Sequence, residues 1–183
     1  MINKYYLDKN IMSQIHDKLI SEKVVQLEKF FDKKYFDKIS KKINNIHYSK
    51  QIKHLNHKYS ISKNKDIIRE VINKELRKFI SSIIEKKLQL KDSIIISISS
   101  GDFKIISDSD VENSECIIDF TSIWDEKWGG NTMYTDGDGN YIKIIPKSNT
   151  LTISKSSTLK RFFQYTNNHA ENNKRTIIIS NIR

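Results

Sequence analysis

Residues 117–153 read IIDFTSIWDEKWGGNTMYTDGDGNYIKIIPKSNTLTI, and the rest of the chain is best understood from this stretch outward. Trp124 and Trp128 stand four apart and are followed at once by Gly129 and Gly130. Paired glycines permit a bulge or tight bend between strands, against which the two indoles can pack. The Asp-Gly pairs between Tyr134 and Tyr141 signal a hairpin turn. The same Asp136-Gly-Asp-Gly-Asn140 run also looks like the start of a calcium loop. Such a loop needs Gly at its sixth position and Glu at its twelfth; Tyr141 and Lys147 stand there, so a turn is the better reading. An isolated Pro146-Lys-Ser-Asn149 then leads into the apolar Leu151–Ile153.

Around this stretch, the back of the chain is built of short Ile- and aromatic-rich runs. Ile94–Ile98, Phe103–Ile106, Cys116–Phe120, Met133–Tyr134, Tyr141–Ile145, Leu151–Ile153, Leu159–Tyr165 and Thr176–Ser180 are expected strands, punctuated by Gly, Asp, Asn and Ser. The front differs. Ile11, Ile15 and Leu19 predict a short helix, Val24–Phe31 a strand, and Phe36, Ile39, Ile43 and Ile46 a helix capped by Asp32. Residues 47–65 show no clear period and read as a loop or short strands. Ile68, Ile72, Leu76, Phe79, Ile80, Ile83 and Ile84 predict one long helix from Asp66 to about residue 87. Helices first and about eight strands second predict an α+β fold in which helices brace a β-sandwich or barrel. No Pro/Gly linker divides the chain, so 1–183 is expected to be a single domain. Residues 1–90 would be a mainly helical support region and residues 91–183 the β core.

Charge follows the same division. Residues 1–92 carry 22 basic and 11 acidic groups, whereas residues 93–183 carry 10 and 11. The basic front half invites a nucleic-acid reading, with Tyr48, His54, His57 and Tyr59 as stacking groups among lysines. Lys outnumbers Arg 27 to 5, however, and Ile, Lys and Asn are all encoded by A/T-rich codons. A Lys-rich solvated surface is the simpler account. His47, His54 and His57 lack a carboxylate or Cys at ligand spacing, and the single Cys116 lies in an apolar run, which excludes a disulfide framework. No Walker A, dinucleotide-binding or nucleophile-elbow motif occurs. No apolar run is long enough to span a membrane, and no secretory leader is evident, so a cytoplasmic protein is expected.

The element Trp124-x-x-x-Trp128-Gly129-Gly130, followed by Pro146-x-x-Asn149 and a core strand, resembles the 2-oxoglutarate/iron(II) oxygenases, in particular the prolyl-hydroxylase-like branch. Gly101-Asp102-Phe103 with Asp108-Ser109-Asp110 resembles the family's G-D-F…H-x-D stretch. Lys174-Arg175-Thr-Ile-Ile-Ile-Ser180 resembles its last core strand, and Phe30-Phe31-Asp32 followed by a helix fits its front half. The resemblance implies a double-stranded β-helix (jelly-roll) barrel braced by N-terminal helices. It also implies a site holding Fe(II) through two His and one carboxylate, with the last-strand Arg, here Arg175, on the distal carboxylate of 2-oxoglutarate.

The chain departs from that pattern at the metal positions. The first His falls on Ser107 or Asp108, and the carboxylate is best met by Asp110. The distal His falls on Gln164, Tyr165 or Thr166. His169 lies only six residues before Arg175, in a run that reads as a turn. Without imidazoles a ferrous site is weak. The expectation is a pseudoenzyme that needs no cofactor and acts by binding, with a protein as partner. The alternative is an active hydroxylase using Fe(II), 2-oxoglutarate and an Asp108/Asp110/His169 triad. A second alternative is a nucleic-acid- or ribosome-associated module acting through basic residues 1–92.

Overall fold

A computed structural model describes residues 1–182, apart from 54–55, 86–88, 106–113, 137 and 156–158; it also leaves aside the side chains of 90 and 91. The front half begins with a 3-10 turn, Lys4–Leu7, and helix α1, Lys9–Glu22. Asp8 caps α1 by accepting from the backbone N–H groups of Asn10 and Ile11. Strand β1 spans Val24–Glu28 and helix α2 spans Lys33–Asn44, with Asp32 accepting from Tyr35 N as its spacing predicts.

The period-free stretch after α2 forms a hairpin of β2, Ser49–Lys53, and β3, His57–Ser62. The predicted long helix is instead two: α3, Lys65–Val71, and α4, Lys74–Ile84. The break comes from Asn73. Its side chain accepts from Glu75 N and Leu76 N and starts a new helix there, while the buried Ile72 keeps the apolar rhythm unbroken.

Eight further strands follow: β4 (Leu90–Ile98), β5 (Phe103–Lys104), β6 (Glu115–Asp119), β7 (Thr132–Thr135), β8 (Tyr141–Ile144), β9 (Thr150–Ser154), β10 (Lys160–Phe163) and β11 (Arg175–Ile182). They join the earlier strands in the order β1-β9-β6-β11-β4-β3-β5-β10-β7-β8, with β2 beside β3 and every pairing antiparallel. The path curls until its two edge strands meet: Gln26 on β1 donates to Ile145 O just after β8, at 3.1 Å. The result is a nearly closed jelly-roll barrel.

Alternation of side chains along the strands splits the core in two. Cys116, Ile118, Leu151, Ile153 and Ile178 face the helices and pack with Leu19, Ile39, Leu76, Phe79, Ile80 and Ile83. Ile96, Ile98, Ile117, Tyr134, Phe163, Ile177 and Ile179 face the barrel interior. Each fully buried aliphatic side chain contributes about 1.5–3 kcal/mol. The Pro-x-x-Asn turn ties the layers together. Asn149 adopts a left-handed φ of 56°, and its side-chain amide exchanges two 2.9 Å hydrogen bonds with the backbone of Phe31 beyond β1.

Candidate functional site

Two of the quoted motifs meet at the end of β10. Thr166 O accepts from Gly101 N at 2.8 Å, and Thr166 N donates to Asp102 O at 2.9 Å. From the other side, Gly129 bridges to Thr166, and Asn167 N donates to Trp128 O. Trp124 Nε1 donates to Gly129 O at 2.9 Å, and its ring meets that of Trp128 edge-on at 5.5 Å. Only glycine suits these two positions. A Cβ on Gly129 would lie 2.1 Å from Tyr165 O, one on Gly130 would lie 2.8 Å from the Trp124 ring, and both residues have positive φ. The W-x-x-x-W-G-G element is thus a clamp that fixes where β10 ends. Asp102 is almost fully buried, and burial pushes its carboxyl above the usual range.

Inside the barrel, period-two alternation turns Glu115, Ile117 and Asp119 of β6 toward Arg175 and Ile177 of β11. Arg175 is 1% exposed. Its Nε donates to Asp119 Oδ2 at 3.0 Å and its Nη1 to Gly130 O at 2.7 Å. The other oxygen of Asp119 accepts from Thr121 N at 2.9 Å. At the opposite end of β6, Arg161 Nε lies 2.8 Å from Oε1 and 3.0 Å from Oε2 of Glu115. Tyr134 Oη donates to the same carboxylate at 2.9 Å. Burial, and next to it the negative charge of Glu115, pushes the Tyr134 phenol well above its ordinary range. Both guanidinium carbons lie against the Phe163 ring, 4.8 Å away for Arg161 and 6.0 Å for Arg175. Each arginine therefore arrives in the interior with its own carboxylate.

Asp108 and Asp110 lie outside the described residues. His169 sits in the 3-10 turn Asn168–Ala170, capped by Asn167, with its side chain exposed. Gln164 follows β10, is exposed, and accepts from Asn131 Nδ2 at 2.7 Å; the inward positions of β10 are Arg161 and Phe163. Arg175 does lie in the barrel interior. Glu115, Asp119, Tyr134 and Arg161 were not singled out from the sequence, although the alternation Glu115-Cys-Ile-Ile-Asp119 already put both carboxylates on one strand face. Among the described residues, no group of three or more His, Cys, Asp or Glu could hold a metal ion.

The cosubstrate can be tested against what surrounds Arg175. A distal carboxylate arriving there would meet a guanidinium already engaged at Nε and Nη1, with the buried Asp119 carboxylate beside it. A second buried negative charge at that point is unfavourable. Arg175 as paired here does not suit a dicarboxylate.

The Asp136 turn is structural. Asp136 accepts from Asn140 Nδ2 and Asp138 N, hydrogen bonds that hold its carboxyl below the usual range, and the β7–β8 hairpin follows as predicted. Cys116 is fully buried on the helix side, where loss of water pushes its thiol up to about 12. No described helix is long and apolar enough to cross a membrane.

No protein-family model matches the sequence, and no curated protein does. Solved structures do match. A 2OG-Fe(II) oxygenase-family oxidoreductase from Burkholderia pseudomallei superposes with TM-score 0.76 at 12% identity, over 96% of this chain and 92% of that one. A prolyl-4-hydroxylase from Pseudomonas putida gives TM-score 0.71 at 10% identity, covering 94% and 98%. A prolyl hydroxylase from Trichoplax adhaerens, in complex with a hypoxia-inducible-factor degradation-domain peptide, gives 0.73 at 11% identity, covering 98% and 93%. The chain has the double-stranded β-helix fold of the 2-oxoglutarate/iron(II) oxygenases, with prolyl hydroxylases among its structural neighbours.

Proposed function

We propose that this chain is an oxygenase-fold protein that has given up ferrous chemistry and acts by binding a protein partner. The observation carrying the reading is the Arg175–Asp119 pair, which supplies from within the barrel the negative charge that a cosubstrate carboxylate would bring. Arg161, Glu115 and Tyr134 support it, since they commit a second inward carboxylate to an arginine and a phenol. The exposed His169 supports it too, because the Asp108/Asp110/His169 alternative needs that imidazole inside the barrel. A peptide partner has a precedent in the Trichoplax adhaerens structure, whose barrel was solved with a peptide fragment.

The test is an anaerobic titration with Fe(II) and 2-oxoglutarate, followed by an oxygen-dependent succinate assay. The expected result is no stoichiometric iron and no succinate. Turnover that disappears in Asp110→Ala would overturn the proposal in favour of an active hydroxylase. Asp119→Asn keeps the shape but removes the internal charge, and it is expected to bind 2-oxoglutarate more tightly than the native chain.

A further inference from the structure

Away from the barrel, the turn from α3 into α4 forms a groove of about 720 Å³ lined by Arg69, Ile72, Lys74, Arg77, Lys78, Ser81 and Ser82. The chain has five arginines. Arg161 and Arg175 are held by barrel carboxylates, and Arg183 lies outside the described residues. The remaining two, Arg69 and Arg77, both line this groove. Of the neighbouring acids, Glu70 accepts from Lys38 and Lys42, whose hydrogen bonds hold its carboxyl below the usual range, Glu75 accepts from Ile2 N, and Asp66 stands in the first turn of α3. None of the four groove cations forms an ion pair with a described residue.

The groove is also partly preorganised. Arg77 Nε donates to Ile72 O at 3.2 Å, which fixes the stem and leaves the two terminal amino groups of the fork for a ligand. Four cations gathered around one groove repel one another, and an anion relieves that repulsion. Ser81 adds a hydroxyl on the face of α4 one turn beyond Arg77, while the Ser82 hydroxyl donates to Lys78 O at 3.0 Å. The volume falls in the range of small-ligand sites. Among the described residues no aromatic side chain lines it, so they offer no platform on which to stack a base. Its chemistry reads phosphoryl oxygens.

We propose that this groove binds the polyphosphate chain of a small di- or triphosphate ligand, independently of the barrel and of whether the barrel performs any reaction.

The probe is inorganic tripolyphosphate, followed by isothermal titration and by backbone amide shifts of the full chain at low and physiological salt. Saturable binding is expected, with shifts centred on residues 69–82 and affinity falling as salt rises. Arg69→Ala and Arg77→Ala should each weaken binding about tenfold or more, the loss of one charge-assisted contact. Arg77→Lys should recover only part of it. Lys50→Ala and Lys53→Ala, on the exposed β2 strand, should change nothing. Unaltered thermal melts of the variants would show that they fold.

Binding that survives the Arg69→Ala/Arg77→Ala double variant would overturn the site. So would the absence of any tripolyphosphate-dependent shift in residues 69–82. An oligonucleotide whose affinity rises with length well beyond that of tripolyphosphate would replace the small ligand with nucleic acid. A phosphoserine peptide preferred over tripolyphosphate would replace it with a protein partner.

Discussion

Arg175 on β11 and Asp119 on β6 face each other inside the barrel, Nε to Oδ2 3.0 Å, with side chains 2% and 3% exposed. Removing one member strands the other's charge in the interior, which typically costs about 3–5 kcal/mol. Asp119→Ala is therefore expected to lower the urea midpoint of unfolding by that equivalent. Arg175→Met combined with Asp119→Leu should lose much less, because no charge is left behind. Equal losses in the single and double variants would show that packing, and not charge pairing, dominates.

Tyr134→Phe keeps the ring in place but takes a hydrogen-bond donor from the buried Glu115. Arg161 still neutralises that carboxylate, so the expected loss is about 1–3 kcal/mol, measured by chemical denaturation. A variant as stable as the native chain would mean that the phenol contributes only its ring.

Gly129 and Gly139 both have positive φ but different surroundings. Gly129 would drive a Cβ into Tyr165 O at 2.1 Å, whereas nothing lies within 4 Å of one on Gly139. Gly139→Ala is expected to cost only the backbone strain, of order 1 kcal/mol. Gly129→Ala should cost clearly more and lower the melting temperature further, since the strand end and the tryptophan clamp must separate.

Glu70 predicts an acid-dependent component of stability. Its hydrogen bonds from Lys38 and Lys42 hold the folded carboxyl below its unfolded value. The contribution is thus complete above the unfolded pKa and is lost as pH falls through the folded one. The lysines are about half exposed, so its size is about 0.2–1 kcal/mol. Glu70→Gln should bring the stabilities of the two proteins together at a pH below the folded pKa and leave them apart at pH 7. A difference that is the same at both values would rule out the ion pair as its source.

The W-x-x-x-W-G-G and Pro-x-x-Asn elements made the barrel legible because each answers a local demand of the backbone. Gly129 and Gly130 leave no room for side chains, and Asn149 combines a left-handed φ with two bonds to Phe31. Apolar periodicity likewise located α1, α2 and most strands. It failed at Ile72–Asn73, where a cap restarts the helix without disturbing the spacing of buried residues.

The sequence by itself determined where most helices and strands lie, because local propensity, turn chemistry and alternation all act within a few residues; the jelly-roll was implied by the resemblance of its motifs, and the front-half strands β1 and β3 join the barrel sheet as well. Only the tertiary structure decided the pairing of charges. Asp119 and Arg175 are 56 positions apart and Glu115 and Arg161 are 46 apart, beyond the reach of any local periodic pattern. Register between β6 and β11 brings Arg175 to Asp119, curling of the sheet brings Arg161 on β10 across to Glu115, and a barrel that read as an anion site becomes one whose charges are already matched.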